Sequence, residues 1–238
     1  MSGSSSSLSA EGPFPRGGGG LEPGEGQDGG RSPVRIGILL SGRGSNFLAL
    51  HAAIERGEVP GARIALVAGN VPEAAGLAKA RDLGLPTFAL DHRGIEREAH
   101  ERAILEALRE ARVDWVCLAG YMRKLSPVLV GAFPRRILNI HPSLLPAFPG
   151  LDAQRQALEY GVRVAGCTVH LVDDGLDTGP IVEQRTVDAE ESDTVETLSA
   201  RILEKEHQAY AFALRRLLSE GWRVAGRRVI FGASPDEM

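Results

Sequence analysis

Lysine is almost absent from this chain, three residues against 24 arginines in a length of 238, and cysteine occurs twice. Cys117 and Cys167 each sit inside an apolar run. They are too few for a disulfide scaffold or a cysteine-rich metal site and read as small buried hydrophobes, as in a reducing cytoplasm. An excess of positive charge is also missing: 27 Lys and Arg stand against 31 Asp and Glu, a net charge of -4. That balance excludes the basic surface needed to neutralise a run of phosphates, and with it nucleic acid as a partner. No apolar stretch approaches the length of a membrane span, and the first residues lack the charged-then-apolar order of a signal peptide, so neither membrane nor export is expected.

What is present is enough apolar material, 43% of residues, for a full core. It is unevenly placed. Residues 1–33 are Ser-rich, then Gly-rich, with four prolines and few large apolar side chains, and they predict a disordered tail. From Val34 onward, to residue 238, short apolar runs alternate with longer amphipathic ones, which predicts a single α/β domain: a Rossmann-like, mostly parallel sheet with helices on both faces. Strands are expected at Val34–Leu40, Arg63–Gly69, Thr87–Leu90, Trp115–Ala119 and Arg136–Ile140. Helices are expected at about Ser45–Arg56, Glu73–Leu83, Ile95–Ala111 and Pro127–Ala132. Val164–Val172 and Pro180–Val187, joined by a turn-rich segment, predict an antiparallel extension. A long helix follows at about Asp193–Ser219, with Asp193 as cap and Glu196 at the capping-box position, and Arg228–Phe231 would add an edge strand.

In such a sheet ligands bind beyond the carboxyl ends of the strands, where the polar motifs fall. Asn139-Ile140-His141-Pro142-Ser143-Leu144-Leu145-Pro146 leaves the fifth strand for a loop that three prolines, with Pro149, make stiff. Asn139 and His141, two apart on extended backbone, point to one side, and an amide with an imidazole suits an oxyanion. The first strand ends in Ser41-Gly42-Arg43-Gly44-Ser45-Asn46 and runs into a helix start. There the glycines allow close approach and free N–H groups favour one phosphomonoester, although a plain tight turn reads equally well. The pattern is neither a dinucleotide fingerprint nor a P-loop.

Leu118 to Leu125 mixes apolar with hydrogen-bonding residues and could floor a flat heteroaromatic pocket, or simply pack. Asp173, Asp174 and Asp177 lie in the hairpin loop. A carboxylate there beside His141 would favour the charged imidazole and fix its tautomer, while turn chemistry also explains an Asp-rich loop. His141, His170 and Asp177 lack metal-site spacing, so no metal is expected. Glu206 interrupts the apolar line Leu198, Ile202, Tyr210 on the last helix and needs a partner, either ligand hydroxyls or water.

Together, Ile38 to Asn46, Leu118 to Arg123, Leu138 to Pro149 and Gly166 to Pro180 resemble the phosphoribosylglycinamide formyltransferases, the folate-dependent formyltransferase family of purine synthesis. The similarity runs in order from Val34 to Phe231 and leaves the N-terminal tail without counterpart. The resemblance implies Asn139, His141 and Asp177 as catalytic trio, Gly44, Ser45 and Asn46 as phosphate loop, and Glu206 on the substrate ribose. It further implies folate contacts from Arg97, Met122, Arg123, Lys124, Leu125, Asn139 and the loop Asp173, Asp174, Gly175, Leu176, Asp177. Lys124 and Arg43 depart from the residues usual there, which matters little where the backbone makes the contact.

10-Formyltetrahydrofolate is the implied co-substrate, without a metal. The partners are small molecules, and a homodimer is compatible with the family. A formyltetrahydrofolate hydrolase is the nearest alternative, though it normally carries a regulatory domain ahead of this scaffold. A methionyl-tRNA formyltransferase would need a further C-terminal domain and basic surface. A non-catalytic nucleotide-binding module would leave Asn139, His141 and Asp177 without a role.

Overall fold

The structure, a computed structural model, describes residues 32–232; the predicted tail lies almost wholly outside them. In chain order the elements are β1 (Val34–Leu40), α1 (Ser45–Glu55), β2 (Ala62–Gly69), α2 (Ala75–Asp82), β3 (Thr87–Ala89), α3 (Arg97–Glu110), β4 (Trp115–Leu118), α4 (Pro127–Ala132) and β5 (Ile137–His141). Then follow α5 (Ala153–Tyr160), β6 (Val164–Leu171), β7 (Ile181–Asp188), α6 (Val195–Ser219), β8 (Trp222–Ala225) and β9 (Arg228–Phe231). One nine-stranded sheet has the order β3-β2-β1-β4-β5-β6-β7-β9-β8. The first five are mutually parallel, and β6 and β7 extend the sheet as antiparallel strands.

Side-chain alternation divides the core. Ile36, Ile38, Leu40, Leu138 and Ile140 face one apolar cluster with Phe47 and Leu50 of α1, Leu77 of α2, and Leu198, Ile202 and Leu214 of α6. Leu39, Val116, Leu118 and Ile137 face the other, with Ile104 and Leu108 of α3 and Leu129 of α4. On this second side no residue of β6 or β7 joins the buried cluster. Asn139 and His141, in phase with Ile137, therefore look out past the end of the helical cover.

Three expectations need correction, and two elements carry no signal in the sequence. His141 belongs to β5 itself, one residue beyond the expected strand end at Ile140, because ladder pairing with β6 continues through His141↔Thr168. The cap of α6 is Thr194 with Thr197 completing the box. Asp193 is drawn off instead by Arg201, Thr197 Oγ1 at 2.7 Å and the Glu190 amide at 2.7 Å. β9 lies between β7 and β8, so the edge is β8, a strand that no sequence signal announced. Nor does the sequence announce α5, a two-turn helix with only Ala153 and Ala157 buried, too short an apolar face to register as periodic.

Across β4 and β5 the long helix α6 is pinned by Tyr210, which is 1% exposed. Its hydroxyl stands 3.0 Å from the Leu118 and 3.0 Å from the Leu138 carbonyl oxygens, donating to one at a time. Each buried leucine or isoleucine of α6 contributes roughly 2 kcal/mol. That apolar line is what lets the helix carry a buried carboxylate at Glu206.

Candidate active site

The order 2-1-4-5 reverses direction of growth between β1 and β4, which opens a crevice at their carboxyl ends. Ser41 closes its floor. Its amide donates to the Gly120 carbonyl at 3.0 Å, its hydroxyl donates to Asn70 Oδ1 at 2.6 Å, and that hydroxyl accepts from the Met122 amide at 2.7 Å. The turn after β1 sits tight against α2. Gly44 has φ of 74°, and a Cβ there would come within 2.8 Å of the Gly76 Cα, so both shape and handedness demand glycine. Gly44 stands at the N-cap of α1 with no side-chain cap bond, leaving first-turn N–H groups for a ligand anion.

Behind this turn the structure joins two residues that the sequence placed in separate motifs. Asn46 Nδ2 donates to Glu206 Oε2 at 2.7 Å across 160 residues. Glu206 thus has a protein partner, where ligand hydroxyls or water had been expected. Burial pushes the Glu206 carboxyl up, and the Asn46 bond offsets this only in part. Asn46 Oδ1 has no partner among the described residues.

At the end of β5 the second group converges. His141, 5% exposed, has Nε2 at 2.9 Å from the Phe148 carbonyl oxygen. A carbonyl only accepts, so Nε2 carries a hydrogen. Nδ1 faces Asp177 Oδ2 at 3.4 Å. Asn139 Nδ2 lies 3.1 Å from His170 Nε2 and donates to Asp177 Oδ1 at 3.5 Å. The Gly150 amide donates to Asp177 Oδ2 at 2.9 Å. Burial pushes the Asp177 carboxyl up, but the His170 ring, the Gly150 amide and the charge on His141 outweigh it and hold the group below the usual carboxylate range.

The loops that deliver these groups are bent into place. Asp177 and Phe148 adopt φ of 53° and 52°, conformations that side-chain residues keep only under outside constraint. A Cβ at Gly179 would come within 1.8 Å of the Leu171 carbonyl oxygen, so the chain folds back on β6 and presents Asp177 to β5. The proline loop is tied by Ser143 Oγ to the Ala147 carbonyl at 2.6 Å, by Thr168 Oγ1 to the Ser143 carbonyl at 2.7 Å, and by Gln184 Nε2 to the Leu145 carbonyl at 2.9 Å.

The remaining predicted residues surround the crevice unevenly. Met122 and Lys124 are exposed, Arg123 is half-buried with Nη1 unpartnered among the described residues, and Leu125 is buried against α3 and α4. Asp173 accepts from the Gly175 amide at 3.0 Å and from Thr178 Oγ1 at 2.7 Å, which is turn chemistry. Asp174 and Leu176 are exposed, and Gly175 is half-buried. Arg97 is exposed in the first turn of α3, without a hydrogen bond to the trio. Among the described residues no group of three His, Cys, Asp or Glu is arranged to hold a metal ion.

Sequence reasoning missed His170, which it weighed only as a metal ligand. The residue is buried on β6 opposite Asn139, beside a register shift at Val169/His170. Only the antiparallel register makes the two neighbours.

The formyl transferase family model matches residues 34–214. The phosphoribosylglycinamide formyltransferase of Bacillus subtilis is 43% identical over 185 residues, 77% of this chain and 94% of that protein. The human trifunctional purine biosynthetic protein adenosine-3 is 43% identical over 192 residues, and this chain spans 19% of its length. Among solved structures, glycinamide ribonucleotide transformylase 1 from Symbiobacterium toebii superposes with a TM-score of 0.84 at 47% identity, over 88% of this chain and 99% of that one. A formyltetrahydrofolate deformylase from Pseudomonas syringae superposes with a TM-score of 0.77 at 26% identity, over 84% of this chain and 66% of that one. The chain belongs to the formyl transferase family, among the phosphoribosylglycinamide formyltransferases.

Proposed function

We propose that this chain transfers the formyl group of 10-formyltetrahydrofolate to the amine of N1-(5-phospho-D-ribosyl)glycinamide, a step of purine biosynthesis, in a single domain at residues 34–238. The observation that carries it is the meeting of Asn139 and His141 on the carboxylate of Asp177, beside an open helix start suited to a phosphate. The amine attacks the formyl carbon and the carbonyl electrons move to oxygen. The amide of Asn139 and the Nδ1 proton of His141 take up that charge, as an oxyanion hole does. Asp177 supports the charged imidazole and accepts, through water, the proton the amine must lose. Collapse of the adduct breaks the bond to the folate nitrogen, which takes a proton as it leaves.

Gly44, Ser45 and Asn46 hold the phosphate in this scheme, and Glu206 the ribose. Met122 to Leu125, Arg97 and Asp173 to Asp177 border the folate. The two donors carry the charge without a metal. Two free, buried cysteines suit a cytoplasmic enzyme.

Purified protein given both substrates should form the formylated glycinamide, and His141→Ala should lower kcat by on the order of a hundred- to a thousandfold with little change in folate KM. Formate released at a comparable rate without the glycinamide substrate would instead make the chain a hydrolase. An unchanged kcat in His141→Ala would remove the imidazole from the reaction.

A further inference from the structure

The loop Met122–Leu125, which borders the folate in the scheme above, has no scaffold of its own. Among the described residues none of its members joins a backbone-to-backbone hydrogen bond, so what grips its two ends decides where it stands. One end is held by Ser41, whose hydroxyl accepts from the Met122 amide at 2.7 Å. The other is held from inside α3. Glu101, 1% exposed, accepts the Ser126 amide on both carboxyl oxygens, at 2.9 and 3.0 Å, and the Ser126 hydroxyl on Oε2 at 2.5 Å.

The hydrogens at Ser126 are all accounted for. Its hydroxyl gives its one hydrogen to Glu101, and the same oxygen accepts from the Val128 amide at 3.2 Å as the N-cap of α4. A carboxyl is costly to bury unless its oxygens are bonded, and both of these are. The start of α4 does not require it, since a serine caps a helix through its own oxygen and Pro127 suits the first helical turn. What the carboxyl adds is a fixed separation between α3 and the residue that directly follows the loop. Arg97 stands four residues ahead of Glu101, on the same side of that helix. One helix therefore carries both Arg97 and the clamp on the loop.

We propose that Glu101 is a positioning residue for the co-substrate: it clamps the C-terminal end of the loop Met122–Leu125 to α3, so that loop and Arg97 stand at their binding separation before the folate arrives. Glu101 touches no substrate atom, and the inference rests on the assignment of that loop to the folate above.

Two variants separate this from a packing role. Glu101→Gln keeps the shape and leaves one accepting oxygen in place of two, and Ser126→Ala keeps the amide bond and removes the hydroxyl. Folding is checked by thermal melting, KM is measured for each substrate, and tetrahydrofolate is titrated alone by calorimetry. Glu101→Gln should raise the folate KM and the tetrahydrofolate Kd by about five- to twentyfold, the scale of one hydrogen bond, with the KM of the phosphoribosyl substrate within about twofold. Ser126→Ala should move the same two constants in the same direction, and the double variant should be within about twofold of the worse single one, because both break one clamp. A lower melting temperature with both folate constants unchanged, an equal rise in both KM values, or losses that multiply in the double variant would overturn the inference. If the unaltered protein transfers formyl groups and Glu101→Gln leaves the folate constants in place, the inference alone falls. If the unaltered protein transfers none, the proposed function falls and the inference with it. Should Glu101→Gln fail to fold, Ser126→Ala decides by the same two constants.

Discussion

Glu206 shows how one residue can weigh against stability and serve a site. It is 6% exposed on a helix otherwise apolar along that line, and among the described residues its one hydrogen bond comes from Asn46 at 2.7 Å. Burial raises its carboxyl above the ordinary range. A carboxyl raised in the folded state stabilises the fold where it is protonated, below its unfolded value, and that contribution is lost as pH rises through the folded value. At neutral pH the charged form therefore costs stability. Glu206→Gln, which can still accept from Asn46, should melt at the same or a higher temperature than the parent at pH 7.5, with the difference shrinking on acidification. The same variant should raise the KM of the phosphoribosyl substrate by about tenfold while leaving the folate KM in place, the loss expected for one charge-assisted hydrogen bond. A melting temperature several degrees lower at pH 7.5 would mean that Glu206 holds the fold rather than a ligand.

Among the elements, the unit β1–turn–α1 is packed closely against α2. Gly44 caps α1 with φ of 74° and stands where a Cβ would meet backbone of α2 at 2.8 Å. The Gly76 amide also donates to the Gly42 carbonyl at 2.9 Å, so the turn and α2 are locked as one body. Gly44→Ala would have to strain the left-handed backbone, at a cost of about 1–2 kcal/mol, and push the helix start away from α2. It should lower the unfolding midpoint in urea and raise the KM of the phosphorylated substrate more than that of the folate. A variant that loses stability but keeps both KM values would show the turn to be structural and not the phosphate site.

For the whole molecule, Asp177 is the point where separate parts of the chain are tied. Its carboxylate meets His141 of β5, His170 of β6 and the Gly150 amide ahead of α5, while it sits itself in the β6–β7 loop. These partners hold it below the usual carboxylate range despite burial. A carboxyl lowered in the folded state stabilises the fold above its unfolded value and loses that contribution as pH falls through the folded value. Asp177→Asn should therefore be less stable than the parent near neutrality, and the two should draw together in melting temperature as pH falls below the usual carboxylate range, where the unfolded and then the folded carboxyl take up a proton. A gap that stays constant from pH 7 to pH 3 would mean that its charge does not hold these elements together.

Sequence by itself determined the architecture as far as β7, apart from the short helix α5. Strands buried on both faces and amphipathic helices between them repeat at a spacing that admits little but a doubly covered parallel sheet, and β1 matches its expected Val34–Leu40 to the residue. It also determined that Asn139 and His141 share a side, since alternation along a strand is a local property. Tertiary structure decided what depends on pairing at a distance. The meeting of Asn46 with Glu206 needs the crossing of α6 over α1, and the meeting of Asn139 with His170 needs the antiparallel register of β5 and β6. Thr194 rather than Asp193 caps α6 because Arg201, one face of the helix away, claims the aspartate. In each case the short-range pattern admits several hydrogen-bond partners, and packing at a distance decides which of them come within bonding reach.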